Sequence, residues 1–360
     1  MRRREALATG GGLLAGVSAG CLESLRREDA WRELVVDPPD GVYVPSHADE
    51  MLSYGTTTAA GREISIGATR PHSFWTVTDE ELSRSDVRSR HALHLMVDVR
   101  DGETGTVVPA PVTTTLRRGS DGERVDRRDL WPMLSQRMGV HYGDNVPIED
   151  GGTYTVTVRV GPTSADVNTT ETPAGKLAEP TTVGLEFEYE PAAIEGLERR
   201  LIDEDEDRGD PAALEPMGCC GDGRDEPAFD GPDAVRIGSG TTGDVVFVAA
   251  LFGGADRSGR ESPVLAVALL TPHNRYPLPF AAVSADVFRE NDRIATGSPR
   301  ETIDPRHGHR YGTRVEPDVL ERGDELAISL DTPPQVARHE GYETAFLEGE
   351  TTLSLAKREA

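Results

Sequence analysis

Thr153-Tyr154-Thr155-Val156-Thr157-Val158-Arg159-Val160 decides the fold class. Its apolar residues recur at a period of two, which marks a strand with one buried face. Comparable runs flank it. Glu63-Ile64-Ser65-Ile66 and His94-Leu95-Met96-Val97-Asp98-Val99 come before, and Val183-Gly184-Leu185-Glu186-Phe187-Glu188-Tyr189 follows. Further β-runs cover Asp244 to Leu251, Val264 to Leu270, Val283 to Phe288 and Leu326 to Leu330. Turns rich in Gly, Pro and Asp separate them. Short strands with such turns predict an all-β protein: two Ig-like antiparallel β-sandwiches in tandem, joined by an acidic linker.

The expected boundaries are a signal over 1–21, a tether over 22–40, a first sandwich over 41–190, a short helix with acidic linker over 191–232, and a second sandwich over 233–360. Ile194, Leu197 and Leu201 fall at helical spacing. The run Asp203-Glu204-Asp205-Glu206-Asp207 then opens a Pro-, Gly- and acid-rich stretch with little apolar area to bury.

The second half repeats the first weakly. Val108-Pro109-Ala110-Pro111-Val112 aligns with Tyr276-Pro277-Leu278-Pro279-Phe280. Gly139-Val140-His141-Tyr142-Gly143 aligns with Gly308-His309-Arg310-Tyr311-Gly312, each followed by a turn and an alternating strand.

Charge narrows the partners. The 360 residues hold 38 Lys and Arg against 63 Asp and Glu, a net charge of −25. Such a polyanion lacks the cations that displace counterions from nucleic acid, so nucleic acid is excluded as a partner. Lys176 and Lys357 are the only lysines. With the acid excess, this composition resembles that of proteins from salt-loving archaea, and the acidity reads as adaptation rather than as a calcium site.

At the N-terminus, Arg2-Arg3-Arg4 precede a mild apolar stretch ending in Ser18-Ala19-Gly20-Cys21. This reads as a twin-arginine export signal with a lipobox-like end. Cys21 is the expected lipidation site, which places the protein on the outer face of the cell membrane. Cys219 and Cys220 are vicinal and cannot staple a long loop, so the fold rests on its core.

The chemistry-bearing residues gather in the first half. His94 and Met96 are two apart on one strand face. Met133 follows in Trp131-Pro132-Met133, and His141 lies in Met138-Gly139-Val140-His141-Tyr142-Gly143. Upstream, His47, Asp49 and Met51 share a face if extended. Imidazole suits copper, iron and zinc, and thioether adds a bias to copper. His72, beside Phe74 and Trp75, reads as local packing. His307 and His309 read as a polar turn before Tyr311. Catalytic-triad order, a P-loop and a dinucleotide turn are all missing from the sequence.

Three segments carry a family resemblance: Leu93 to Val99, Trp131-Pro132-Met133 to His141-Tyr142-Gly143-Asp144-Asn145-Val146, and Gly152 to Val158. Over about residues 40–190 the chain resembles the bacterial periplasmic iron-transport proteins, Ig-like exported proteins that accompany an iron permease and bind copper or iron. The resemblance implies His94, Met133 and His141 as ligands. It also places Met96 where the family carries an acidic residue, which softens the site toward copper. The family is similar in forming dimers in which a late-loop His approaches the partner's site. The first half has no His in that segment. The second half has Arg338-His339-Glu340-Gly341-Tyr342, which resembles the family's Arg-His loop, while its own His-Tyr-Gly position has become Arg310. His339 is therefore expected to serve the first sandwich in an intrachain pseudo-dimer, with a homo-oligomer as the other arrangement.

The expected function is binding of a copper or ferrous iron ion outside the membrane for a membrane iron permease, by His94, Met96, Met133 and His141, with His47, Met51 and His339 as further candidates. Two alternatives stand beside it: a surface scaffold or adhesion lipoprotein without metal, and a copper-dependent ferrous-iron oxidase. The primary reading is not an enzyme.

Overall fold

The computed structural model describes residues 38–119, 122–167, 175–217, 229, 234–253, 262–304, 307–316, 319–321 and 323–354. The export signal, Cys21, most of the expected tether and the Cys219-Cys220 pair lie outside the described residues.

The first half runs β1 (His47–Asp49), β2 (Leu52–Ala59), β3 (Arg62–Thr69), β4 (Phe74–Thr78), β5 (Glu81–Ser85), β6 (His91–Asp101), β7 (Val112–Arg118), β8 (Arg124–Ser135), β9 (Gly139–Pro147), β10 (Gly152–Val160), β11 (Asp166–Val167), β12 (Thr181–Tyr189) and β13 (Arg199–Leu201). The second half runs β14 (Ala234–Thr242), β15 (Val245–Phe252), β16 (Val264–Leu270), β17 (Ala282–Arg289), β18 (Asp292–Gly297), β19 (Arg300–Asp304), β20 (Gly308–Arg314), β21 (Glu325–Thr332), β22 (Ala337–Arg338) and β23 (Glu350–Ser354). The all-β class holds.

In β10, Tyr154, Val156, Val158 and Val160 are buried, as the alternation requires. The strand pairs antiparallel with β7 and β12. The first-half order is β12-β10-β7-β8-β9-β6-β3-β2. Strand β8 serves both layers: Arg124 to Leu130 pair with β7, and Trp131 to Ser135 pair with β9. Pro132, which has no N–H to give a ladder, sits just past the change of partner.

Second-half strands form a sheet ordered β11-β19-β20-β16-β15-β14 and another ordered β18-β17-β21-β23. One hydrogen-bond pattern occurs in both halves. The Tyr142 hydroxyl donates to Val108 O and accepts from Ala110 N–H, both at 2.9 Å. The Tyr311 hydroxyl donates to Leu278 O at 2.7 Å and accepts from Ala281 N–H at 3.0 Å. These bonds set Val108 against Leu278, two residues from the alignment read off the prolines.

Each half lends the other a short strand. Strand β11 pairs parallel with β19, setting Asp166 opposite Thr302. Strand β22 pairs parallel with β8, setting Ala337 opposite Met133, and antiparallel with β4. The cores interpenetrate in the same way. Leu134 and Val140 pack with Phe247, Tyr276 and Val336, while Ile303 joins the first-half core of Val97, Val99 and Val158.

The stretch after β12 differs from expectation. A helix covers only Pro191–Glu195 and ends at Gly196. Ile194 and Leu197 are buried, but Leu201 is exposed within β13, which pairs with β1. The acidic run forms a 3-10 turn at Glu204–Glu206 closed by an Asp203 capping box. Backbone bonds then tie the chain down: Val44 N–H to Asp210 O, Gly209 N–H to Val44 O and Met217 N–H to Arg137 O. Acidity does not prevent order here, because main-chain partners on the first half supply what apolar burial does not.

Candidate metal site

Strand register gathers the ligand candidates on one face. Residues paired across a ladder point the same way. His94 pairs with Asn145, Met96 with Gly143, and Met133 with His141. Since Ala337 lies opposite Met133, continuing β22 by two residues places His339 over the same face, and its N–H reaches Leu134 O at 3.4 Å. His72 enters from the turn before β4.

Four imidazoles meet there. Ring centroids are 4.1 Å apart for His72 and His94, and 4.5 Å for His72 and His339. His141 lies 5.5 Å from His339, and His94 lies 6.2 Å from it. Phe74 meets His94 edge-on at 6.1 Å. It packs with Met133 and Ala337 as an apolar wall. His94, Met133 and His141 are sealed from solvent, while His72 and His339 are half-buried and form the outer edge.

Hydrogen bonds determine which nitrogens are free. The Asn145 amide N–H donates to His72 O at 2.9 Å, so its Oδ1 faces the other way. That oxygen receives the His72 backbone N–H at 3.3 Å and lies 3.1 Å from His94 Nδ1. An amide oxygen only accepts, so Nδ1 of His94 carries the proton. His141 Nδ1 is 3.0 Å from Gly139 O, and His72 Nδ1 is 3.2 Å from Arg70 O, with the same consequence. In all three rings the Nε2 lone pair remains. The Nε2 atoms of His72, His94, His141 and His339 are buried with no hydrogen-bond partner. Each such orphan costs about 1–3 kcal/mol.

Burial keeps these rings neutral. Desolvation, reinforced by neighbouring imidazoles, holds His94 and His339 well below the ordinary imidazole value. Burial pulls His72 and His141 down to about 4. Neutral imidazole with its second nitrogen on a carbonyl or amide oxygen is the form that binds a metal.

Gly143 leaves room at the centre. A Cβ there would lie 2.6 Å from His94 Nε2 and 2.8 Å from Met133 Sδ. Among the described residues, no three His, Cys, Asp or Glu side chains are already set as a chelate. The imidazoles are gathered but partly stacked, His72 on His94 at 37°. Taking an ion requires the rings to turn edge-on toward it. The residues present fit a metal by their donor set and by four orphaned nitrogens.

The other candidates lie elsewhere. His47 Nδ1 is 3.1 Å from Ser46 Oγ, beside the Asp49–Arg199 ion pair. Met51 and Met96 pack with Met138 and Met217. His72, read from sequence as packing, does pack, and its ring neighbours are the imidazoles of His94 and His339. Its signal was a histidine just ahead of an aromatic strand. Its placement depends on Asn145, which no local spacing reveals. In the second half, Arg310 pairs with buried Asp304 at 3.0 Å and His309 Nε2 lies 2.8 Å from Glu301 Oε1, so these side chains already hold partners in the region around Tyr311.

Residues 88–191 match the model of a family described as Fe2+ transport protein. The resemblance drawn from the His94, Met133 and His141 segments is thereby shown over that stretch. Residues 230–354 match a domain family of unknown function. Among solved structures, the chain is similar to a copper-bound variant of FetP from uropathogenic Escherichia coli strain F11, at 22% identity. That match covers 39% of this chain and 97% of the other, with a TM-score of 0.32. FetP of the same strain as isolated after expression in the E. coli periplasm matches at 23% identity, covering 39% of this chain and 96% of the other, with a TM-score of 0.32. No curated protein matches the chain. Among the described residues, no helix is long and apolar enough to cross a membrane.

Proposed function

We propose that His72, His94, Met133, His141 and His339 hold a copper or ferrous iron ion outside the membrane, as cargo for uptake through a membrane iron permease. One observation carries this reading: four buried imidazole Nε2 atoms have no hydrogen-bond partner, on rings whose neighbouring centroids lie 4.1–6.2 Å apart. A scaffold without metal gives no reason to keep that cost. The ion is carried and not chemically changed. Copper is favoured over iron by the Met133 thioether and by the lack of a carboxylate among the five residues.

In the same reading, the two halves act as a fused pseudo-dimer. The reciprocal lending of β11 and β22 and the matching Tyr142 and Tyr311 bonds support it, since a two-fold interface repeats each contact in both directions. Only the first half keeps ligands, so one chain carries one ion in this pocket. Export through the twin-arginine signal and an anchor on Cys21 complete the proposal.

The deciding measurement is copper and ferrous iron titration of wild type, His94→Ala and His141→Ala. The expected result is loss of the ion held by the imidazoles in both variants, one ion fewer per chain than wild type. Equal binding in all three would end the proposal.

A further inference from the structure

The chain has six methionines, at positions 1, 51, 96, 133, 138 and 217. Met133 faces the imidazole pocket. Met51, Met96, Met138 and Met217 form a cluster whose described members are all methionine. The other large core clusters are built from Val, Leu, Ile, Ala and aromatic residues. A gap that needed only apolar volume would draw on the same residues.

The cluster also has a direction. Gly67, Met96 and Gly143 form one cross-strand row over β3, β6 and β9, all facing the same way. A Cβ at Gly67 would lie 3.2 Å from Met51 Sδ, while one at Gly143 would meet His94 Nε2 and Met133 Sδ. The two glycines thus leave the Met96 thioether flanked by a second sulfur on one side and by the imidazole pocket on the other. Met138 is held by a 3.3 Å bond from its N–H to Ser135 Oγ, and Met217 by its N–H to Arg137 O at 2.8 Å. Met96 and Met138 are buried, whereas Met51 and Met217 are half-exposed. The methionine cluster therefore reaches from half-exposed Met51 and Met217 to buried Met96 and Met138.

We propose that Met51, Met96, Met138 and Met217 form a second, thioether-only site that takes a monovalent soft cation, Cu(I), which enters past the half-exposed Met51 and Met217. Thioethers are neutral and polarisable and lose no proton on binding. They select Cu(I) or Ag(I) and offer little to Fe(II) or Zn(II), which want nitrogen or charged oxygen. This site uses none of the five pocket residues and stands whether or not the pocket takes an ion.

The test uses the full metal-free chain, carrying Cys21→Ser, Cys219→Ser and Cys220→Ser in every sample because thiols outcompete thioethers for soft cations, and Ag(I), which mimics Cu(I) without redox chemistry. Native mass spectrometry should count two Ag(I) per wild-type chain. Met51→Leu/Met217→Leu should bind one, and its metal-free melting point should not move, since leucine conserves volume at half-exposed positions. His94→Ala/His141→Ala should keep the thioether ion. Failure of the pocket reading would lower the wild-type and methionine-variant counts by one each and leave the histidine variant at one. Methyl-labelled methionine spectra of the wild type give a readout free of mutation: the signals of Met51, Met96, Met138 and Met217 should shift with Ag(I). Undiminished Ag(I) binding in Met51→Leu/Met217→Leu, or unmoved methyl signals, would overturn the site.

Discussion

His94 Nδ1 and Asn145 Oδ1 stand 3.1 Å apart, and that bond turns the His94 Nε2 lone pair toward Met133 and the other imidazoles. Asn145 also clamps His72 through both its backbone N–H and its carbonyl. One amide therefore orients two candidate ligands. Asn145→Ala should weaken copper binding by about 10–100-fold, the usual effect of losing a partner behind a metal ligand. Competition titration reads this directly, and wild-type affinity would contradict it.

Gly143→Ala adds one methyl group where its neighbours leave least room. The new Cβ would lie within 2.8 Å of both His94 Nε2 and Met133 Sδ. Those side chains must move, at a cost of about 1–3 kcal/mol in the metal-free protein. Copper affinity should fall more than stability does. Calorimetry and thermal melting of the same sample separate the two effects.

His339→Ala should lower copper affinity although residue 339 belongs to the other half. The drop should be the same at every protein concentration, because β22 delivers His339 within the chain. Analytical ultracentrifugation of the loaded wild type should show that copper uptake proceeds in monomers. Binding that appears only as dimers form would contradict the intrachain ligand.

Acid should destabilise the metal-free protein. The four pocket imidazoles have folded pKa values below the unfolded value near 6.5. The unfolded chain thus binds more protons below pH 6.5. Stability is complete above that point and drains as pH falls, toward about pH 4 for His72 and His141. Each of the sealed His94 and His141 contributes a slope of about 1.4 kcal/mol per pH unit in this window. Around His72, Asp49 opposes the shift, while Arg199 and His47 add to it. Glu340 acts in the other sense: burial raises its carboxyl to about 7, so its contribution is lost as pH rises from 4.5 to 7. Four groups outweigh one. Urea midpoints should fall from pH 7 to pH 5, and a flat profile would refute this.

The strands were legible because alternation and β-branching are local, as the buried residues of β10 show. His94, Met133 and His141 were legible through motif resemblance, since strand register alone then brings them together. His72 was not, because a single distant amide, Asn145, positions it. The order of the acidic stretch was hidden for a related reason. It depends on main-chain bonds to Val44 and Arg137, and these carry no mark in the composition of residues 203–217.

Because β22 brings His339 from the second half, the imidazole cluster closes only after the first half has already been made. A nascent polypeptide that has made only the first half presents His94 and His141 without their cover. Closure of the imidazole cluster is thereby tied to the two halves folding against each other.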